Sequence, residues 1–226
     1  MAEKKTTART VTTSTGRKAP RVVLASRSPR RRDLLTRIGV RHRAVAPDID
    51  ETPRPGEKAR DYVVRMAEEK AATVAASHPD AVVIAADTAV EIDGRILGQP
   101  ADEEAARRML SSLSDRTHKV HTAVARVAPD GSLSLRTTSI VRFRPLNKHL
   151  REWYLESGEW QGKAGGYAIQ GRGGTLVTSV EGSYSAVVGL PLRETAELLG
   201  LVSPGSSRKG RLSSALRRLY PWHSHS

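Results

Sequence analysis

Cysteine is absent from the 226-residue chain, which excludes disulfides and thiolate metal sites. Aromatic residues are scarce at 4%, with a single phenylalanine, so the core has to be packed from aliphatic side chains. No apolar run approaches the ~20 residues that a membrane-spanning helix needs. The N-terminus likewise lacks the apolar stretch of a secretory signal. These absences suit a protein of a reducing compartment, and a cytoplasmic location with no membrane association is the expectation. The length suffices for one domain with a substantial core, or for two lobes sharing one.

The formal charge of +13 is strongly basic, but its placement decides its meaning. Residues 1 to 21 and residues 204 to 226 each carry a net +5, which leaves +3 for the 182 residues between them. Residues 1–21 therefore read as a disordered basic extension, 204–226 as a poorly ordered basic tail, and 22–203 as the folded domain. Such tails attract polyanions weakly and in a salt-dependent way, so nucleic acid is expected to bind only weakly through them if at all.

The chain is organised around residues 22 to 35. Val22 to Ala25 is a short apolar strand, and Ser28-Pro29 supplies an N-cap hydroxyl and a proline suited to a first helical turn. Leu34, Leu35 and Ile38 form the apolar stripe of that helix, and Gly39 closes it. Arg30, Arg31 and Arg32 crowd its N-terminus, where cations oppose the helix dipole unless an anion lies beyond the first turn. A phosphate site and a solvated basic turn both satisfy that pattern.

Val40 to Val45 reads as a second strand leading to the acidic turn Asp48-Ile49-Asp50-Glu51, followed by prolines that forbid a regular element. Its carboxylates suit either a solvated loop or a divalent cation that completes its shell with phosphate oxygens. Glu57 to Ser77 is helical, with Val63, Met66, Ala67, Ala71 and Val74 at the 3.6 period and Lys70 on the same face. A lysine there either snorkels to the rim or reaches an anion. The small apolar run Ala81 to Ala86 reads as a doubly covered strand ending at Asp87-Thr88. An acid at the carboxyl end of such a strand is a catalytic candidate, or else the cap of a turn.

Asp93-Gly94 marks a two-residue hairpin. Asp102 caps a helix to Leu113, and His118 to Val127 pairs with Leu133 to Phe143. His118 and His121 read as ordinary strand residues, because no third ligand lies at zinc-like spacing. Asn147 to Glu156 is a further helix. Residues 158 to 174 then hold seven glycines together with Trp160, Tyr167 and Ile169, a composition that fits a ligand-approaching loop better than a linker. Leu176 to Val180 and Tyr184 to Val188 read as a strand pair across Glu181-Gly182-Ser183, and Pro191 opens a last helix. Alternating strands and helices early, with hairpins in the middle, imply an α/β fold with a mixed sheet and flanking helices.

Six segments together resemble the Maf family of nucleotide pyrophosphatases. They are Leu-Ala-Ser-Arg-Ser-Pro-Arg-Arg-Arg-Asp-Leu-Leu (24 to 35), Asp-Ile-Asp-Glu (48 to 51), Glu-Lys-Ala (69 to 71), Ala-Asp-Thr (86 to 88), Lys-Ala-Gly-Gly-Tyr-Ala-Ile-Gln-Gly (163 to 171) and Gly-Ser-Tyr-Ser-Ala-Val-Val-Gly-Leu-Pro-Leu (182 to 192). The resemblance implies an elongated mixed sheet with two lobes around a cleft, similar to inosine-triphosphate pyrophosphatases. It also implies hydrolysis of a nucleoside triphosphate to monophosphate and pyrophosphate with Mg2+ or Mn2+, in a housecleaning role against non-standard nucleotides. Arg30, Thr88 and Gln170 match the branch acting on dTTP and UTP and would read the nucleotide. Asp87 would activate water, Ser26, Arg31, Lys70 and Lys163 would contact the polyphosphate, and Glu51 would help to hold the metal. Arg32 keeps the reading of a solvated side chain. Gln99 is a departure, since the family commonly has lysine there. A homodimer is compatible with the resemblance. The family's link to division control gives a second reading, a non-catalytic nucleotide- or nucleic-acid-binding regulator.

Overall fold

The computed structural model describes residues 21–203, so the basic extension (apart from Arg21) and the basic tail lie outside the described residues. The chain runs β1 (Val22–Ala25), α1 (Pro29–Arg37), β2 (His42–Val45), α2 (Ala59–Ala76), β3 (Val82–Ile92), β4 (Arg95–Leu97), α3 (Glu103–Leu113), β5 (Thr117–Ala128), β6 (Gly131–Phe143), α4 (Lys148–Leu155), two short 3-10 turns (Ala164–Gly166 and Gly171–Leu176), β7 (Val177–Glu181), α5 (Tyr184–Val188) and α6 (Leu192–Leu198). One mixed sheet takes the order β2-β1-β3-β5-β6-β7, with β4 paired to β3 beside that path. β1 is parallel to β2 and β3, and the remaining pairs are antiparallel. The expected α/β mixed sheet with flanking helices is the observed architecture.

The register of β3 places the functional region. β5 pairs with one edge of β3 continuously from Val83 to Glu91. The other edge is shared: β1 pairs with it as far as Ile84, and β4 takes it from Val90 onward. Among the described residues, 85–89 of β3 therefore have no strand partner on that side. The tight turn at Asp93 (φ 52) and Gly94 (φ 73) brings the chain back as β4, which ends at Leu97 opposite Val90 and leaves this window open.

Each face of the sheet has its own core. On one, Tyr62, Val63, Met66, Ala67, Ala71 and Val74 of α2 pack against Val23, Ala25, Val83, Ala85, Ala89, Ala123 and Ala125. Alanines on the strands let the long helix lie close. On the other, Leu34, Leu110, Leu113, Tyr154, Leu155 and Leu198 from the remaining helices meet Leu24, Ile84, Ala86, Val90, Val124, Val141 and Phe143. Each large aliphatic group buried in this way stabilises the fold by about 1.5–3 kcal/mol.

Three local expectations are corrected. β3 does not end at Asp87-Thr88 but continues to Ile92, because β5 remains paired to it beyond that point. Ser28 precedes α1 but makes no side-chain cap; its own N–H donates to Ser26 Oγ at 3.1 Å, so Ser26 shapes the turn. Tyr184–Val188 is a helix and not a strand. Ser183 Oγ accepts from the Ala186 N–H at 3.2 Å to cap it, and β7 pairs with β6 instead. The alternating Tyr184, Ala186 and Val188 mimic a strand, but a cap and a buried docking face override a five-residue pattern.

Candidate active site

The open window on β3 leads into a cleft of about 860 Å³. Side chains alternate across a strand, so Asp87 and Thr88 present opposite faces of the sheet. Both line the cleft, which passes through the gap between β1 and β4.

On the α2 face, Asp87 and Lys70 are 5% and 4% exposed, and Lys70 Nζ donates to Asp87 Oδ1 at 2.7 Å. The same ammonium lies 2.8 Å from Glu51 Oε2 at the exposed end of the cleft. Lys70 thus joins a buried carboxylate to a half-exposed one, and the inward lysine reaches the site and not the rim. Burial pushes the Asp87 carboxyl above the usual carboxylate range, against the opposing pull of Lys70 and Arg31. Glu51 sits on an irregular loop that α2 holds from beneath. Tyr62 Oη donates to the Glu51 carbonyl at 2.9 Å, and Arg65 Nη2 donates to the Thr52 carbonyl at 3.2 Å. Arg65 is itself clamped by Glu57, at 2.7 and 2.6 Å. That pairing depresses Glu57 to about 2.

On the other face, α1 meets the end of α5. Arg31 Nε donates to the Gly189 carbonyl at 2.8 Å and Arg30 Nε to the Val188 carbonyl at 3.3 Å. These guanidinium groups satisfy carbonyls that a short helix leaves without partners. Arg31 Nη2 also donates to Thr88 Oγ1 at 3.4 Å. Burial lowers the pKa of Arg30, Arg31 and Lys163 alike; Arg31 further lowers Arg30, and Arg30 further lowers Lys163. With Arg30 repelled by Arg31 and Lys163 by Arg30, this side of the cleft is a cationic wall suited to an anion.

The glycine-rich segment closes this side. Glu159 accepts from the Arg172 and Gly173 N–H groups at 2.9 and 3.1 Å, and Tyr154 Oη accepts from the Ala168 N–H at 3.0 Å. His118 Nε2 and Tyr167 Oη are 2.8 Å apart. Trp160, Tyr167 and Ile169 are buried, which makes the segment an anchored loop. Gly165, at φ 71, lies so near β3 that an added Cβ would stand 2.9 Å from Val90 Cγ2. Lys163 and Gln170 consequently line the cleft opposite α1, and Gln99 lines it beside Gly162.

Every candidate named from the sequence lines this one cleft: Ser26, Arg30, Arg31, Glu51, Lys70, Asp87, Thr88, Lys163 and Gln170. Arg32 faces solvent. His118 bonds to Tyr167 of the glycine-rich segment, and His121 to Thr138 of β6 and Glu91 of β3. Sequence reasoning missed Tyr62, Arg65 and Thr122. Tyr62 and Arg65 flank the inward stripe of α2 and carried a faint signal; Thr122, between His121 and the small apolar Ala123 to Ala125 of β5, carried none.

Among the described residues no group of three or more histidine, aspartate or glutamate side chains converges as a metal cage. Glu51 nonetheless fits a hard divalent cation. Its carboxylate is 48% exposed at the mouth of the cleft, where phosphate oxygens can complete the shell. No helix of the described residues is long and apolar enough to cross a membrane.

A family model described as Maf-like protein matches residues 21–202. The chain is 54% identical over 179 residues to the dTTP/UTP pyrophosphatase of Myxococcus xanthus, covering 79% of this chain and 90% of that protein. It is 54% identical over 185 residues to the enzyme of the same name from Sphingopyxis alaskensis, covering 81% and 97%. The dTTP/UTP pyrophosphatase of Vibrio parahaemolyticus is 48% identical over 184 residues, with 81% and 97% covered. Among solved structures, the Staphylococcus aureus Ham1 protein aligns at a TM-score of 0.38 and 19% identity, over 54% of this chain and 71% of that one. With the match running from the first strand to the end of the last helix, the chain belongs to the Maf-like protein family.

Proposed function

We propose that the protein is a pyrophosphatase of pyrimidine nucleoside triphosphates, cleaving dTTP and UTP to the monophosphate and pyrophosphate. The observation that carries this reading is the division of the cleft. A buried carboxylate held by a lysine stands on one side of the sheet, and three cations stand on the other, with Arg30 repelled by Arg31 and Lys163 by Arg30. A polyphosphate threaded through the window would relieve that repulsion and bring a phosphorus to Asp87. The names carried by relatives of about half-identical sequence support the same substrates.

In the proposed reaction Asp87 accepts a proton from water, the water oxygen bonds to the α-phosphorus, and the α–β bridging bond breaks as pyrophosphate departs. Burial suits Asp87 to this work, since a base whose pKa lies nearer neutrality accepts the proton more readily. Lys70 holds the carboxylate in place and lends positive charge to the reacting phosphates. Arg31 and Lys163 hold the polyphosphate, with Ser26 at the turn before α1. Arg30, Thr88 and Gln170 face the nucleoside, and a glutamine amide can both donate to and accept from a uracil edge. Gln99 adds a neutral amide where the family commonly places lysine, leaving the cationic work at the phosphates to Arg31, Lys70 and Lys163. A Mg2+ or Mn2+ ion bound by Glu51 and phosphate oxygens would supply further charge neutralisation.

The test is pyrophosphate release from a panel of nucleoside triphosphates with Mg2+ or Mn2+. Release that is fastest with dTTP and UTP is expected. A protein that releases none from any triphosphate with either metal overturns the reading.

A further inference from the structure

Thr122, in the middle of β5, is fully buried, and its hydroxyl lies between two oxygens. The Ala186 carbonyl oxygen is 2.7 Å away and Thr88 Oγ1 is 3.1 Å away. A threonine hydroxyl has one proton, and a carbonyl can only accept. Thr122 therefore donates to Ala186 across the shorter contact, and the longer contact is made by the Thr88 proton donated to Thr122. Thr88 Oγ1 also accepts from Arg31 Nη2 at 3.4 Å. With its proton committed inward, Thr88 can offer the cleft only a lone pair. The far end of this hydrogen-bond relay is fixed as well, because Arg30 and Arg31 hold the carbonyls of Val188, the last residue of α5, and of Gly189 just after it.

We propose that Thr122 is a positioning residue that makes Thr88 an obligate hydrogen-bond acceptor toward the cleft. The site then selects a heterocycle that presents a ring N–H there and rejects one that presents a lone pair. This rests on the reading of the cleft as a pyrimidine triphosphate site. Uracil and thymine carry a ring N–H between two carbonyls, whereas the corresponding nitrogen of cytosine is an acceptor. Opposite a fixed acceptor, cytosine leaves two lone pairs facing each other, and a mismatched polar pair in a shielded site is discriminated more strongly than a difference in size. A threonine without the Thr122 partner could turn its proton outward and accept either ring.

The experiment compares kcat/KM for UTP and CTP in the wild type, Thr122→Val, Thr122→Ala and Thr122→Ser, with thermal unfolding of each. In Thr122→Val the UTP-to-CTP preference is expected to fall about tenfold, the equivalent of one hydrogen bond. The loss should arise largely from faster CTP turnover, and Thr122→Ser should restore the preference. A merely structural Thr122 would lower both rates together and leave their ratio alone. Thr122→Ala gives the same comparison should the valine variant not fold. The wild type supplies an independent check, since 3-methyl-UTP, which lacks the ring N–H, should turn over at least about tenfold more slowly than UTP. UTP turnover with an unchanged ratio in the Val and Ala variants, or equal rates with 3-methyl-UTP, overturns the relay alone. No pyrophosphate from any pyrimidine triphosphate overturns the reading of the site, and the relay's ligand with it.

Discussion

Asp87 and Thr88 are consecutive residues of β3 that belong to opposite faces of the sheet, Asp87 ion-paired to Lys70 of α2 and Thr88 bonded to Arg31 of α1. In a fully paired strand the sheet would separate them. Here β1 stops early on that edge and β4 begins late, so one ligand can touch both.

Asp87→Ala removes the proposed base. The expected result is a fall in kcat of roughly a hundred- to ten-thousand-fold with UTP, with binding of the nucleotide still measurable by calorimetry. Turnover close to that of the wild type would rule Asp87 out as the base.

The pH profile follows from the same carboxylate. Its ionised form accepts the proton, and burial raises its pKa above the ordinary 3.8, so activity should grow as pH rises through that raised value. The acid limb of kcat/KM should therefore lie above the ordinary carboxylate range. In Lys70→Met the stabilising cation is gone, and the limb should move to higher pH. A limb at or below the ordinary value, unmoved by Lys70→Met, would contradict the assignment.

Glu51 and its support are separable. Glu51→Gln should raise the Mg2+ concentration needed for half-maximal turnover and weaken Mn2+ binding in the presence of a non-hydrolysable UTP analogue. Chelation of the metal should abolish turnover in both proteins. Tyr62→Phe loses one hydrogen bond to the Glu51 carbonyl, a loss of about 1 kcal/mol, and should shift the Mg2+ requirement in the same direction but less. An unchanged metal requirement in Glu51→Gln would place the metal elsewhere.

Gly165→Ala should destabilise the domain. Its φ of 71 disfavours a side chain, and the added Cβ would stand 2.9 Å from Val90 Cγ2. A loss of about 1–3 kcal/mol is expected in denaturant unfolding, together with a raised KM as Lys163 and Gln170 shift. An unchanged midpoint would mean that the loop yields freely.

The elements most readable from the sequence were those carried by local chemistry. The stripe of α2, the Asp93-Gly94 turn and the Asp102 cap all appear as their residues imply, with Asp102 Oδ1 accepting from the Ala105 N–H. Tyr184–Val188 misled because a five-residue alternation cannot by itself distinguish a strand from a capped turn of helix. Asp87 misled in position for a related reason: nothing local tells where a neighbouring strand ends.

By itself the sequence determined which chemistry the protein carries, since acids, arginines, the inward lysine and the glycine-rich loop are matters of residue type and short-range spacing. The tertiary structure decided how that chemistry is joined. Lys70 meets Asp87 and Glu51 across 17 and 19 positions of chain, and Thr122 meets Thr88 across 34. Pairings at such separations depend on strand order and on the register of β1, β4 and β5 along β3, which are set by burial over the whole sheet and not by any local pattern.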